Sequence, residues 1–171
     1  STRMVLDLPM PKRITADGGT YYLKDKITTP DTMTAYFEFN DLPVVWRHRL
    51  WGATEYAPET NNGIFFYGDE ATVFATDRKW VVIPKAKNAE REEHEAPADL
   101  GTLHMANFLE AVRTGVELDC PIEDAAKSTG MVQLGMIAYE TQSVVKWNEA
   151  SEQIVDNPEA TKLLKRDYRE P

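Results

Sequence analysis

Apolar and polar residues alternate most cleanly between Asp31 and Asn40. Met33, Ala35, Phe37 and Phe39 fall on one face, and Thr32, Thr34, Tyr36 and Glu38 on the other. A period of two marks a half-buried strand. Asn40-Asp41-Leu42-Pro43 then reads as a turn and Val44 to Trp51 as the next strand, which predicts an antiparallel hairpin. Upstream, Lys12 to Leu23 reads as a strand with Gly18 and Gly19 marking a bulge or bend, and Thr28-Thr29-Pro30-Asp31 as a breaker. Downstream of a loop over Trp51 to Asn62, three short strands follow: Gly63 to Tyr67, Ala71 to Thr76 and Trp80 to Pro84. Tight turns at Gly68-Asp69 and Asp77-Arg78-Lys79 separate them, the pattern of a β-meander. Lys85 to Asp99, rich in charge and alanine, reads as an exposed, mobile loop.

The second half changes period. Met105, Phe108, Leu109 and Val112 sit at i, i+3, i+4 and i+7, one helical stripe stopped by Gly115. A second helix starts near Pro121, carries Glu123 and Asp124 beside its positive end, and runs to about Lys146. It is apolar almost all round, as a helix buried on several sides must be. Gly130 and Gly135 each cost it about 1 kcal/mol of helix propensity, which close backbone packing would explain. Val145 to Trp147 reads as a short strand. Asn157-Pro158-Glu159 caps a third helix that ends near Lys165. Strands first and helices second predict an α+β fold: an open, mainly antiparallel sheet with helices packed on one face. The other face would meet water or another subunit.

The chain has 171 residues, and 19 basic against 28 acidic side chains leave a net charge of −9. That length suits a single domain over residues 1–171 with a core of its own. The charge argues against a nucleic-acid grip. Cys120 alone excludes an internal disulfide. The apolar, charge-free stretch from Ser128 to Tyr139 is 12 residues, where a membrane span needs about 20. No membrane partner is therefore expected, and a cytoplasmic location is the default, with an export signal upstream of Ser1 as the alternative.

No dinucleotide fingerprint, phosphate loop or nucleophile elbow is present, and His48, His94 and His104 have no recognised metal spacing, so no metal is expected. The most unusual segment is Trp46-Arg47-His48-Arg49-Leu50-Trp51. As a strand it puts Arg47, Arg49 and Trp51 on one face. Two guanidinium forks and an indole suit a polyhydroxylated or carboxylated ligand; pairing of Arg47 with Glu38 across an open sheet is the other reading. His48 shares its face with core-type residues, so it is either a satisfied core histidine or a pocket residue. His104, at the start of the first helix, points into a cleft or to the surface. His94 belongs to a solvated charge run. Of Tyr21 and Tyr22, on opposite faces, one goes to the core and one to a site. Cys120 precedes a helix, where a thiolate would be favoured, but capping or burial explains it as well.

Several stretches, in order, resemble one known family. They are Thr29-Pro30-Asp31-Thr32 entering the strand that ends Phe37-Glu38-Phe39, then Trp46 to Trp51, then Phe66-Tyr67-Gly68-Asp69-Glu70-Ala71-Thr72. His104-Met105-Ala106-Asn107-Phe108-Leu109, the long second helix, Ala160 to Leu164 and Tyr168-Arg169-Glu170-Pro171 complete the set. From about Lys12 to Pro171 the sequence is similar to the C-terminal domain of the glucose–fructose oxidoreductase / inositol dehydrogenase (Gfo/Idh/MocA) family. The resemblance implies an enzyme that binds NAD or NADP on an N-terminal Rossmann domain, absent from this chain. Its substrate would be a small sugar- or cyclitol-like, polyhydroxylated molecule, and it would form a homo-oligomer through the open sheet face. The family's Glu-Lys-Pro lysine and Asp-x-x-x-His segment are missing; Ser1 to Leu8 resembles the end of the helix carrying the latter. No catalytic and no cofactor-binding residue is thus carried over to this chain, which alone is expected to be inactive and to bind no nicotinamide cofactor. The substrate-binding candidates are Tyr21, Arg47, His48, Arg49, Trp51 and His104. The alternatives are a stand-alone, non-redox binding or assembly module, and a carbohydrate-active enzyme with paired carboxylates, for which no pair stands out by spacing.

Overall fold

The computed structural model describes residues 2–53 and 62–165; most of the expected loop before Gly63 and the tail Tyr168 to Pro171 lie outside them. The chain divides into two compact units, Ser1–Gly52 with Ile122–Pro171, and Ala53–Pro121. The α+β class is observed, with the strands shared between two antiparallel sheets.

The first unit holds α1 (Thr2–Val5), β1 (Arg13–Gly19), β2 (Thr32–Glu38), β3 (Pro43–Arg49), α3 (Ile122–Thr141), β8 (Val145–Asn148), β9 (Gln153–Val155) and α4 (Pro158–Lys162). Its sheet order is β3-β2-β1-β8-β9. The expected hairpin pairs Thr32 with Arg49 through to Glu38 with Pro43. The bulge expected at Gly18 and Gly19 is absent: β1 pairs with β2 in unbroken register from Arg13–Glu38 to Gly19–Thr32. The strand also stops at Gly19, short of Leu23, because the following segment turns back onto Asp31.

Alternation holds in β2. Met33, Ala35 and Phe37 are buried, and with Ile14, Leu134, Ile137, Ala138 and Val145 they form the core between sheet and α3. The opposite face carries Arg13, Thr15, Asp17, Thr34, Tyr36, Val45 and Arg47. Helix α3 ends at Thr141, five residues before the expected Lys146. Gln142 takes a left-handed φ of 48°, and the chain turns so that Val145, with no exposed surface, can sit beside Ile14 in the sheet. Strand β9, which the sequence pattern did not predict, completes the edge. Asn157 caps α4 by accepting from the Ala160 amide at 3.1 Å, as expected, and the helix stops at Lys162, short of Lys165. Arg3, in α1, is buried, ion-paired with Asp124, and donates to Ser128 Oγ at 3.2 Å and to the Leu8 carbonyl at 2.8 Å.

The second unit holds β4 (Ile64–Tyr67), β5 (Ala71–Ala75), β6 (Lys79–Pro84), β7 (Glu92–Glu95) and α2 (Leu100–Thr114). The meander is as expected. The Lys85 to Asp99 loop is corrected: Glu92 to Glu95 form a fourth strand against β6, where the His94 ring stacks on Trp80. Backbone pairing needs no apolar alternation, so charge alone did not exclude a strand at this edge. Helix α2 begins at Leu100, not near His104, because the Asp99 carboxylate accepts from the Thr102 amide at 2.8 Å. Gly115, at φ 76°, closes it. Among the described residues no helix is long and apolar enough to cross a membrane.

Candidate functional site

The residues with most chemistry gather where β1, β2 and β3 of the first unit end together. Asp31 anchors this corner. It has no exposed surface, yet its carboxylate accepts four hydrogen bonds: from the amides of Tyr21 (3.2 Å), Tyr22 (2.7 Å) and Leu23 (2.8 Å), and from the Thr32 hydroxyl (2.9 Å). Burial alone would raise the pKa; the four donors outweigh it and hold the carboxyl well below the usual carboxylate range. The Asp31 amide donates to the Gly19 carbonyl at 3.1 Å, and its carbonyl accepts from Leu50 at 2.9 Å. One residue thus ties together the ends of β1 and β3 and the turn through Tyr22.

Trp51 follows β3. Its indole N–H donates to Thr32 Oγ1 at 2.9 Å. The Tyr22 ring stacks against it, centroids 5.7 Å apart at 28°. The Arg49 guanidinium carbon lies 5.4 Å from the Trp51 ring centroid, within cation–π range. Arg49 stands opposite Thr32, and Arg47 opposite Thr34, on the same sheet face. The expected Arg47–Glu38 pair is not the register neighbour: Glu38 faces Pro43 and takes Arg13 at 3.2 Å.

The six candidates separate. Arg49 and Trp51 come together, with Arg47 one step along the same face. His48 lies on the other face beside Met33; its Nδ1 accepts from Trp46 Nε1 at 3.2 Å, and its Nε2 stands 3.1 Å from the Pro30 carbonyl. An indole N–H can only donate and a carbonyl only accept, so this pairing assigns Nδ1 as the acceptor and Nε2 as the donor. Tyr21 lies over Gly19, where an added Cβ would come 2.9 Å from its Cζ. The aromatic partner of Trp51 is Tyr22, and the expectation that one of the two tyrosines goes to the core is corrected: both are exposed, because the turn after Gly19 wraps its backbone, not its rings, around Asp31. His104 belongs to the other unit, in the second turn of α2. Tyr22, Asp31 and Thr32 were missed as site residues. The signal is an acid directly after proline in Thr29-Pro30-Asp31-Thr32, a stretch that serves in the sequence as a breaker and a mark of resemblance but gives no site role.

Among the described residues, neither long helix offers a dinucleotide its usual seat. A pyrophosphate seeks a helix N-terminus with free amides and positive potential. Here the α2 N-terminus is filled by its own Asp99, and the first turn of α3 carries Glu123 and Asp124. Among the described residues no three His, Cys, Asp or Glu side chains group as a metal site would.

No family model and no curated protein matches the chain. Solved structures do. An oxidoreductase of Agrobacterium radiobacter, crystallised with NAD+, L-tartaric acid and magnesium, superposes with a TM-score of 0.61 at 15% identity, over 85% of this chain and 45% of that one. A Desulfitobacterium hafniense protein described as a candidate NADPH-dependent oxidoreductase gives 0.63 at 13%, over 88% and 45%. An oxidoreductase of Bacillus cereus gives 0.58 at 11%, over 85% and 49%. The chain therefore has the fold of part of these oxidoreductases, as the resemblance implied, and it spans about half the length of the structures it matches.

Proposed function

We propose that this chain is the substrate-side and oligomer-forming C-terminal half of a cytoplasmic, Gfo/Idh/MocA-like oxidoreductase that uses NAD or NADP and acts on a sugar- or cyclitol-like substrate. One observation carries the reading: the fold matches about half the length of oxidoreductases, one of them with NAD+ bound. On this reading the nicotinamide and the proton-transfer residues belong to the other half; among the described residues neither α2 nor α3 offers a pyrophosphate a free, positive N-terminus. The contribution of this half is a rigid corner. Trp51 and Tyr22 offer aromatic surface to the C–H groups of a polyol, and Arg49 supplies hydrogen-bond donors beside them. The L-tartaric acid carried by one structural neighbour, a hydroxylated dicarboxylate, is a ligand of the type such a corner suits.

The test uses the full-length gene product with NAD+ and NADP+ against hexoses, inositols and hydroxy acids including tartrate. Reduction of nicotinamide by one of these is expected. Trp51→Ala should then raise KM at least tenfold with kcat changed less than threefold, the mark of lost uniform binding. A product that neither binds nor reduces nicotinamide overturns the proposal, and polyol binding without redox chemistry would make the chain a binding module instead.

A further inference from the structure

We infer that Asp31 and Thr32 are positioning residues: the buried Asp31 carboxylate, acting through the Thr32 hydroxyl and the Tyr22 amide, sets the orientation of the Trp51–Tyr22 aromatic pair. The contacts form a closed circuit. Trp51 Nε1–H donates to Thr32 Oγ1 at 2.9 Å, Thr32 Oγ1–H donates to Asp31 Oδ1 at 2.9 Å, the Tyr22 amide donates to Asp31 Oδ2 at 2.7 Å, and the Tyr22 ring returns to Trp51.

The direction of each bond is forced. An ionised carboxylate only accepts and an indole N–H only donates, so the hydroxyl between them must give its proton to Asp31 and accept from Trp51. A hydroxyl polarised by a buried anion is a better acceptor, because hydrogen bonds in a chain reinforce one another. The carboxyl is held ionised by its four donors, so the circuit keeps one sense. An exposed indole with a free χ2 would otherwise rotate, and Trp51 retains 37% of its surface. Ordering it before a ligand arrives removes that cost from binding. This deepens the polyol-binding reading and rests on it for its consequence, though not for its geometry.

The experiment follows the indole N–H signals of the 15N-labelled 171-residue chain, with the Trp51 signal assigned by Trp51→Phe. In Thr32→Val, of nearly unchanged shape, the Trp51 N–H should exchange with water at least tenfold faster and its resonance should move. In Thr32→Ser, which keeps the hydroxyl, exchange should stay within twofold of the parent. The N–H signals of Trp46, Trp80 and Trp147 should move in neither. If Asp31→Asn folds, it should speed Trp51 exchange as well, since an amide nitrogen cannot replace the second acceptor oxygen. Trp51 exchange unchanged in Thr32→Val, or accelerated equally in Thr32→Ser, overturns the inference. In the full-length enzyme, Thr32→Val should raise KM threefold or more with kcat unchanged, and Thr32→Ser should restore it. The indole signals are read without ligand, so they fail only if the relay is wrong; absence of any polyol turnover by the parent enzyme defeats the functional reading alone.

Discussion

Two glycines of α3 should respond oppositely to the same substitution. In an exposed helix, Gly→Ala gains about 1 kcal/mol from reduced unfolded-state entropy and better propensity. At Gly130 the nearest atom to an added Cβ is the flexible tip of Met10, Cε, at 3.6 Å, an ordinary contact. Gly130→Ala should therefore stabilise by about 1 kcal/mol. At Gly135 the added Cβ would lie 3.0 Å and 3.4 Å from Phe37 Cζ and Cε1, and 3.9 Å from Ala35 Cβ. Carbon pairs prefer about 3.5–4.0 Å, and Phe37 is a buried ring between sheet and helix, so it cannot withdraw. Overpacking of this kind costs about 1–3 kcal/mol, which cancels or exceeds the propensity gain. The two variants should thus differ by about 1–3 kcal/mol, with Gly135→Ala the less stable. Urea unfolding followed by helix circular dichroism reads the difference directly, and each kcal/mol should also move Tm by about 2–4 °C at this chain length. Equal stabilisation at both positions would refute the argument that backbone approach, rather than chance, put glycine at 135.

Three further predictions follow from the first unit. Ile14 has no exposed surface, so Ile14→Ala should lose about 2–5 kcal/mol in the same urea titration, and a loss under about 1 kcal/mol would place the core elsewhere. Arg3→Ala strands the partly buried Asp124 carboxylate; it should cost about 3 kcal/mol, and adding Asp124→Ala should recover part of that in a double-mutant cycle. The folded-state pKa of Asp31 lies below its unfolded value, so its contribution is complete above the ordinary carboxylate range and drains away as pH falls through that range toward the folded value. Asp31→Asn should therefore be less stable than the parent at pH 7, and the gap should narrow below about pH 4; a gap independent of pH would mean the charge is not what the four donors recognise.

Much of the first unit was legible because its elements have a clear period. The alternation of Met33, Ala35, Phe37 and Phe39 gave both the strand and the buried face, all four being buried. Asn157-Pro158 gave the cap of α4, and the two helix glycines suggested the close packing found at Gly135. What escaped is non-local. Strand β9 is three residues long and is defined by pairing with β8. Strand β7 is four consecutive polar residues held by β6. The start of α2 was misplaced because the apolar stripe was weighed above the Asp99 to Thr102 capping pair. At the candidate site, composition singled out Arg49 and Trp51. It could not reveal that Tyr22 rather than Tyr21 meets Trp51, since that is decided by how the Tyr21–Leu23 amides wrap around a carboxylate eight to ten residues away.

The sheet of the second unit sets a packing demand that bears on the proposed homo-oligomer. Register places Ile64, Phe66, Val73, Trp80 and Val82 on one face, and Phe65, Tyr67, Phe74, Val81 and Ile83 on the other. A half-buried antiparallel sheet normally shows one polar face; this one is apolar on both, as the middle layer of a stack would be. Among the described residues of this sheet Val81 alone is buried; Tyr67 on its face is 79% exposed and Trp80 on the opposite face 40%, so both faces keep open aromatic surface. Helix α2 carries a single apolar stripe, and none of its residues is buried. One stripe can serve one face, so if the full-length protein assembles through this unit, a second copy would meet the face left open, and Trp80 tests one of the two. Trp80→Glu, which places a carboxylate opposite His94 and on the same face as Glu92, should then lower the mass seen by light scattering to that of one subunit if the Trp80 face is the interface, with helix content unchanged. An oligomer that survives Trp80→Glu at micromolar concentration would move the interface off this face.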